Sequence, residues 1–205
     1  AQGTAIAVTS GDVPVEALRP GDMVRRVDRS LVAVCRVFQS TFSASDLRRK
    51  PLFRPIRITA GALGAGLPLR DLSVSRQHRM LVSSKVAARM FGQRDVLIPA
   101  FRLTDLPGIY VDTQVAESTY YHVLFDRHEV ILAEGAPSES LYLGPEALGA
   151  VHPDARAEIM AMFPQIAEPG FVPAPALSIP TGAQQKQLIA RHAKNQKPPL
   201  ELFGL

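Results

Sequence analysis

The chain has a single cysteine, Cys35, among 205 residues. One thiol cannot close an internal disulfide, and it rules out a zinc site built on cysteines. No apolar run approaches the roughly 18–20 residues that a membrane span requires. The opening Ala1-Gln2-Gly3-Thr4 has no initiator methionine and no basic segment leading into an apolar one, so no signal peptide is expected at this end. Neither sign of charge dominates. The 23 Lys plus Arg against 19 Asp plus Glu leave +4, too little to point to nucleic acid. The densest basic run, Arg48-Arg49-Lys50 before Pro51, reads as a solvated loop. Metal-ligand spacing of the H-E-x-x-H kind is missing, as is any internal repeat.

What is present is a globular composition, 46% hydrophobic and 20% charged, in a chain long enough for one good-sized domain and an appendage. Turn signals are dense up to Gly135. Ser10-Gly11-Asp12, Arg19-Pro20-Gly21-Asp22 and Pro107-Gly108 separate short β-prone runs such as Ala5-Ile6-Ala7-Val8, the segment 31–38 around Cys35, and Ile56-Arg57-Ile58. Cys35 in that run reads as a small structural hydrophobe. Gly61, Gly64 and Gly66 lie in a loop and lack the strand–helix context of a dinucleotide fingerprint. Residues 43–50 read as a polar, basic loop. Helix is expected at 83–91, ended by Gly92, and at 146–163. Many short strands at close spacing indicate an all-β domain over 1–140. A helical appendage follows at 141–166. Prolines 164, 169, 173, 175 and 180 then mark 167–205 as a Pro-rich linker and basic tail, with a marginal helix capped by Thr181 over 181–195.

Two stretches carry chemistry. The run from Tyr120 to Gly135 places His122, Asp126 and His128 in an apolar, β-prone sequence that closes on Ala133-Glu134-Gly135. It reads as two short strands meeting near Asp126-Arg127, and imidazoles held by strands are rigid enough for proton transfer in a fixed geometry. Upstream, Ser75-Arg76-Gln77-His78 sets a third histidine three residues after a serine at a strand edge. Any one of these histidines alone reads first as an ordinary side chain on a solvated face. Together they are candidates for acid–base work.

Gly3-Thr4-Ala5-Ile6 followed by Gly11-Asp12-Val13-Pro14-Val15-Glu16-Ala17-Leu18-Arg19-Pro20-Gly21-Asp22 resembles the N-terminal block of the Hint domains. These are the self-processing modules of inteins, Hedgehog autoprocessing domains and bacterial intein-like proteins. Ser75-Arg76-Gln77-His78 is similar to that family's Thr-x-x-His block, and the run from His122 to Gly135 to its late strand block. Gly61-Ala62-Leu63-Gly64-Ala65-Gly66 and Phe125-Asp126-Arg127-His128-Glu129 look most like a bacterial subfamily related to the Hedgehog type. The resemblance covers 3–165. It implies a horseshoe-shaped all-β fold that brings the first residues beside both histidine blocks. It also implies transfer of an upstream acyl group, carried in cis, from a backbone nitrogen to a side-chain nucleophile, and then to water or a small nucleophile. His78 matches the family histidine that contacts the amide, and Ser75 takes the threonine position. His128 matches the later histidine. His122 falls near a position where inteins often carry an aspartate and is a candidate second proton carrier. Asp126 is available to orient either imidazole. No cofactor or metal is implied, and family relatives set an extracellular expectation.

Two departures from the pattern matter. The family cysteine lies four residues before the glycine of the Gly-Thr pair, and this sequence starts two residues too late to include it. Ala1 has no nucleophilic side chain, so the chain as given is expected to have the scaffold and the acid–base groups without the first step. After Gly135, Ala136-Pro137-Ser138-Glu139-Ser140 contains no asparagine to cyclise, which leaves N-terminal cleavage or acyl transfer in place of full splicing. Two alternatives stay open. One is a non-catalytic interaction module on the same scaffold. The other is a zinc hydrolase with His78, His122 and His128 as ligands.

Overall fold

The structure, a computed structural model, describes residues 1–144, 153–168 and 170–201. In chain order the strands are β1 (Ala5–Val8), β2 (Gly11–Pro14), β3 (Met23–Arg25), β4 (Leu31–Ala33), β5 (Arg36–Phe42), β6 (Ile56–Ile58), β7 (Leu72–Val74), β8 (Arg79–Ser83), β9 (Asp95–Pro99), β10 (Ile109–Val111), β11 (Ser118–Leu124), β12 (Val130–Ala133) and β13 (Ala136–Glu139). The helices are α1 (Ala44–Arg49), α2 (Lys85–Phe91), α3 (Pro153–Met162) and α4 (Gly182–Lys194). The protein is all-β and horseshoe-shaped. Its largest sheet runs β4-β3-β1-β12-β13-β8-β9, with β2 paired to β1; β10-β6-β7 and β11-β5 form two smaller sheets.

Strand shortness follows from the turn residues. β1 and β2 form a hairpin with Val8 opposite Gly11. β12 and β13 close around Glu134 and Gly135, both at positive φ (50° and 73°), the geometry that a two-residue hairpin requires at both central positions. Glu134 tolerates it because it is anchored. Its Oε1 accepts the Ala5 N–H at 2.7 Å, and Arg70 grips both carboxylate oxygens at 2.9 Å. These contacts splice the first strand to the last hairpin, and Ile6 lies opposite Ala133.

The two strands expected around Asp126-Arg127 exist, but they do not pair with each other. β11 pairs along its whole length with β5, whereas β12 lies between β1 and β13. The run around Cys35 also divides, β4 belonging to the large sheet and β5 to the small one. Within 43–50, where a loop was expected, α1 forms over Ala44–Arg49. Ser43 caps α1 in a reciprocal box with Asp46, and Arg49 reaches back to Asp46 at 2.8 Å. Short helices of this kind depend on such caps. α2 ends on Gly92 at φ 71°, as expected.

The main core gathers Ile6, Val24, Ile58, Met80, Ile98 and Ile131 with many neighbours. A second cluster joins Phe38, Leu124 and Leu141 to Ile159 of α3. The expected helix start at 146–150 lies outside the described residues. Of 167–205, expected as linker and tail, the described residues include several that dock on the β domain. Leu97 N–H donates to Ser178 O at 2.9 Å, and Ser83 N–H to Pro199 O at 2.9 Å. α4 buries Leu188, Ile189 and His192, and Leu200 joins the same core. His192 Nδ1 is 2.9 Å from Lys197 O and its Nε2 3.1 Å from Ser84 Oγ. The apolar residues too few to sustain an isolated helix are the ones that pack. No helix among the described residues is long and apolar enough to cross a membrane.

Candidate functional site

The first residues are folded into the sheet system. Thr4 Oγ1 donates to Ala1 O at 2.6 Å, and Gly3 N–H to Glu16 Oε2 at 2.9 Å. Gln2 N–H reaches Thr119 O on β11 at 3.0 Å, and the Ala1 amino group donates to Ser73 O on β7 at 2.8 Å. Ala1 thus sits where the three sheets meet. It opens onto a cleft of about 520 Å³ that is also lined by Thr4, Ser75, His78, His122 and Ser138.

Ser75 and His78 reach the cleft from a tight turn. His78 N–H donates to Ser75 O at 3.1 Å, and His78 O accepts from Ala100 N–H at 2.8 Å. The turn joins β7 in one sheet to β8 in another, so the imidazole is held from both sides. Its Nε2 lies 2.6 Å from Ser138 Oγ on β13. Burial pushes the His78 imidazole down to about 4, with Glu139 opposing and the amino-terminal charge, His122 and Arg79 adding to the fall. His122 enters on β11, opposite Phe38 of β5. Burial, then the amino-terminal charge, takes it down to about 4 as well. Both rings are therefore neutral near pH 7 and carry a lone pair able to take a proton.

His128 and Asp126 lie elsewhere. His128 does not line the cleft. Its Nδ1 accepts from Ala176 N–H at 3.1 Å, so the neutral ring carries its proton on Nε2. That nitrogen is 3.2 Å from Glu139 Oε2, off the line of a well-directed hydrogen bond. Tyr142 packs against the ring at a tilt of 53° with ring centres 4.9 Å apart and donates its hydroxyl to Pro173 O at 2.8 Å. Asp126 is exposed on the turn after β11. Its Oδ1 accepts from the Cys35 thiol at 3.2 Å, and it does not reach either cleft imidazole. β11 and β12 diverge at this turn instead of folding back on each other, β11 pairing with β5 and β12 with β1 and β13.

The sequence reading missed the floor of the cleft. Ser138 is buried, and so is the next residue, Glu139. Arg79 holds Glu139 through its backbone N–H at 2.7 Å and its guanidinium at 3.0 Å. Burial works to raise the Glu139 carboxyl, but His128, His78 and Arg79 together hold it below its usual value. The available signal was three polar residues, Ser138-Glu139-Ser140, directly after the Ala-Glu-Gly hairpin. A strand at that place is interior, so polar side chains on it need partners. Among the described residues, no three His, Cys, Asp or Glu side chains are grouped to hold a metal ion.

A model of the Hint domain family matches residues 1–145. No curated protein matches the chain. Among solved structures, the MchDnaB-1 intein is similar at 11% identity and a TM-score of 0.42, covering 67% of this chain and 97% of its own. The gp41-1 intein matches at 14% identity and a TM-score of 0.39, over 67% of this chain and 94% of its own. A bacterial intein-like domain from Clostridium thermocellum matches at 12% identity and a TM-score of 0.41, with 67% and 94% covered.

Proposed function

The chain belongs to the Hint domain family, and from that membership we propose that it is the catalytic scaffold of an N-terminal self-processing reaction. The nucleophile is a cysteine two residues ahead of Ala1. The observation that carries the reading is the single cleft shared by Ala1, Ser75, His78 and His122, groups drawn from distant parts of the chain. Two extended residues span at most about 7 Å, so the scissile amide lies within about that distance of Ala1.

The chemistry then balances as follows. The neutral His78 ring takes the proton of the cysteine thiol. The sulfur attacks the carbonyl carbon of the preceding residue. As the C–N bond breaks, the imidazolium returns the proton to the leaving nitrogen, leaving a thioester and a free amine. An imidazolium held at a low pKa is a strong acid, which suits protonation of an amide nitrogen. Ser75 polarises the amide through its hydroxyl, and His122 is the second proton carrier, serving the acceptor. Water or a small thiol then takes the acyl group, and its proton goes back to the cysteine sulfur. Ser138-Glu139-Ser140 offers no asparagine to cyclise, so the reaction ends at N-terminal cleavage.

The test adds Cys and one further residue ahead of Ala1 and fuses a reporter upstream. Thiol should release the reporter from this protein and not from the same fusion lacking the cysteine. An intact fusion, in a folded chain, would leave a non-catalytic interaction module as the reading.

A further inference from the structure

We infer that Ser138 is a positioning residue for His78. Its hydroxyl accepts the Nε2–H, holds the neutral ring in that tautomer, and leaves Nδ1 as the nitrogen that trades protons with the reacting groups. The role in turnover rests on the self-processing reading above; the hydrogen-bond arrangement does not.

The contact is 2.6 Å long, and both partners are fixed before it forms. Ser138 is 3% exposed and sits within a sheet, opposite Ile131 on one side and Met80 on the other. His78 is clamped through its backbone to Ser75 and Ala100. Little conformational freedom is left to lose when such rigid groups meet, so the hydrogen bond can act fully on the ring's orientation. With Nε2 engaged, only Nδ1 remains for chemistry.

A hydroxyl suits this place better than a carboxylate. A carboxylate facing Nε2 would stabilise the charged ring and slow return of the proton. Serine aims the ring and leaves its charge state free to change within one turnover. The proton path is then closed. Bare Nδ1 accepts the thiol proton, and the imidazolium keeps its Nε2–H on Ser138. Nδ1 delivers the proton to the leaving nitrogen, and the ring returns to its starting tautomer. Glu139, the next residue on the strand, is engaged by Arg79 and His128 and supplies the distant negative charge that favours the transient imidazolium.

Nitrogen-15 NMR of the imidazoles in the 205-residue chain reads the tautomer directly, with no processing needed. The expected spectrum at pH 7 has His78 protonated at Nε2. Ser138→Thr should keep that state, and Ser138→Val, equal in shape but without the hydroxyl, should give a mixture of tautomers. Ser138→Ala makes the same comparison if the valine variant fails to fold. A wild-type ring protonated at Nδ1, or a tautomer unchanged on losing the hydroxyl, overturns the inference. In the cysteine-extended fusion, losing the hydroxyl should slow thiol-dependent release about tenfold, the scale of one such hydrogen bond, with threonine restoring it. Spectra as expected with no release from the wild-type fusion would overturn the proposed function and leave the arrangement of Ser138 and His78 standing.

Discussion

His128 Nδ1 accepts a hydrogen bond from the Ala176 N–H at 3.1 Å, tying the strand block that holds Glu139 to the proline-rich segment. His128→Ala removes that acceptor from the N–H of an exposed residue, Ala176, which water can satisfy instead, so the cost is about 0.5–1.5 kcal/mol. Amide exchange at Ala176 should quicken, and reporter release should fall less than for a residue inside the cleft. An unchanged exchange rate at Ala176 would mean that the segment is held by other contacts.

Leu188 on α4 is fully buried in the main core. Leu188→Ala should therefore destabilise the whole β domain by about 2–5 kcal/mol, the range for an interior leucine. Urea unfolding followed by far-ultraviolet circular dichroism measures it. A separate early transition confined to the helix would show that the C-terminal segment folds apart from the rest.

His78→Ala in the cysteine-extended fusion should slow release about 10²–10⁴-fold, the usual contribution of a placed acid–base group. Single-turnover kinetics on purified precursor give the number. A loss smaller than that caused by His128→Ala would reverse the roles assigned to the two histidines.

Stability should fall in mild acid. His78 and His122 ordinarily titrate at 6.5 and are held down to about 4 in the folded chain. The unfolded chain thus binds the extra protons first. The stabilising contribution is complete above pH 6.5, fades as pH drops from 6.5 to about 4, and is then fully lost. Glu139, held below its ordinary value of 4.5, acts in the same direction at still lower pH. Urea midpoints at pH 7.5, 6 and 5 should decline in that order. The Ala1 amine, taken by burial from 8.0 down to about 5, acts in the same direction. His78→Gln with His122→Gln should therefore lessen the trend without abolishing it.

Burial, followed by the neighbouring Asp126 carboxylate, pushes the Cys35 thiol up to about 11. At pH 8 only about 0.1% is thiolate, so alkylation by iodoacetamide should be far slower than for an ordinary cysteine. Asp126→Asn should speed it, as read by mass spectrometry. Reporter release by a chain whose only thiol is Cys35 would return that residue to consideration as the nucleophile.

Much of the fold was legible because its signals are local. Gly92 at a helix end, Glu134-Gly135 at a hairpin and the alternation of Ile56-Arg57-Ile58 each need only their neighbours. The turn at Ser75-His78 and the strand carrying His122 were readable for the same reason. Pairing partners were not. Nothing near Asp126 says that β11 joins β5 while β12 joins β1, and that divergence decides that Asp126 meets Cys35 instead of an imidazole. α1 was missed because its stabilisation is a capping box, Ser43 with Asp46, in a stretch whose basic residues suggested solvent. Ser138 was missed because its importance comes from a residue sixty positions away. The docking of Leu188 and Leu200 escaped notice since two or three apolar residues suffice once a ready-made surface receives them.

The cleft needs Ala1 at one end of the chain and Ser138 on the last strand of the β domain. A ribosome adding about 5–20 residues per second takes roughly 7–28 s to pass from the first to Glu139. Until then β1 has no β12 beside it, and His78 has no serine to aim it. On the proposed self-processing reading, a segment translated ahead of Ala1 has that interval to fold outside the ribosomal tunnel while its connecting amide is still inert. The order of the strands acts as a delay timer, set by the length of the gene and independent of any inhibitor.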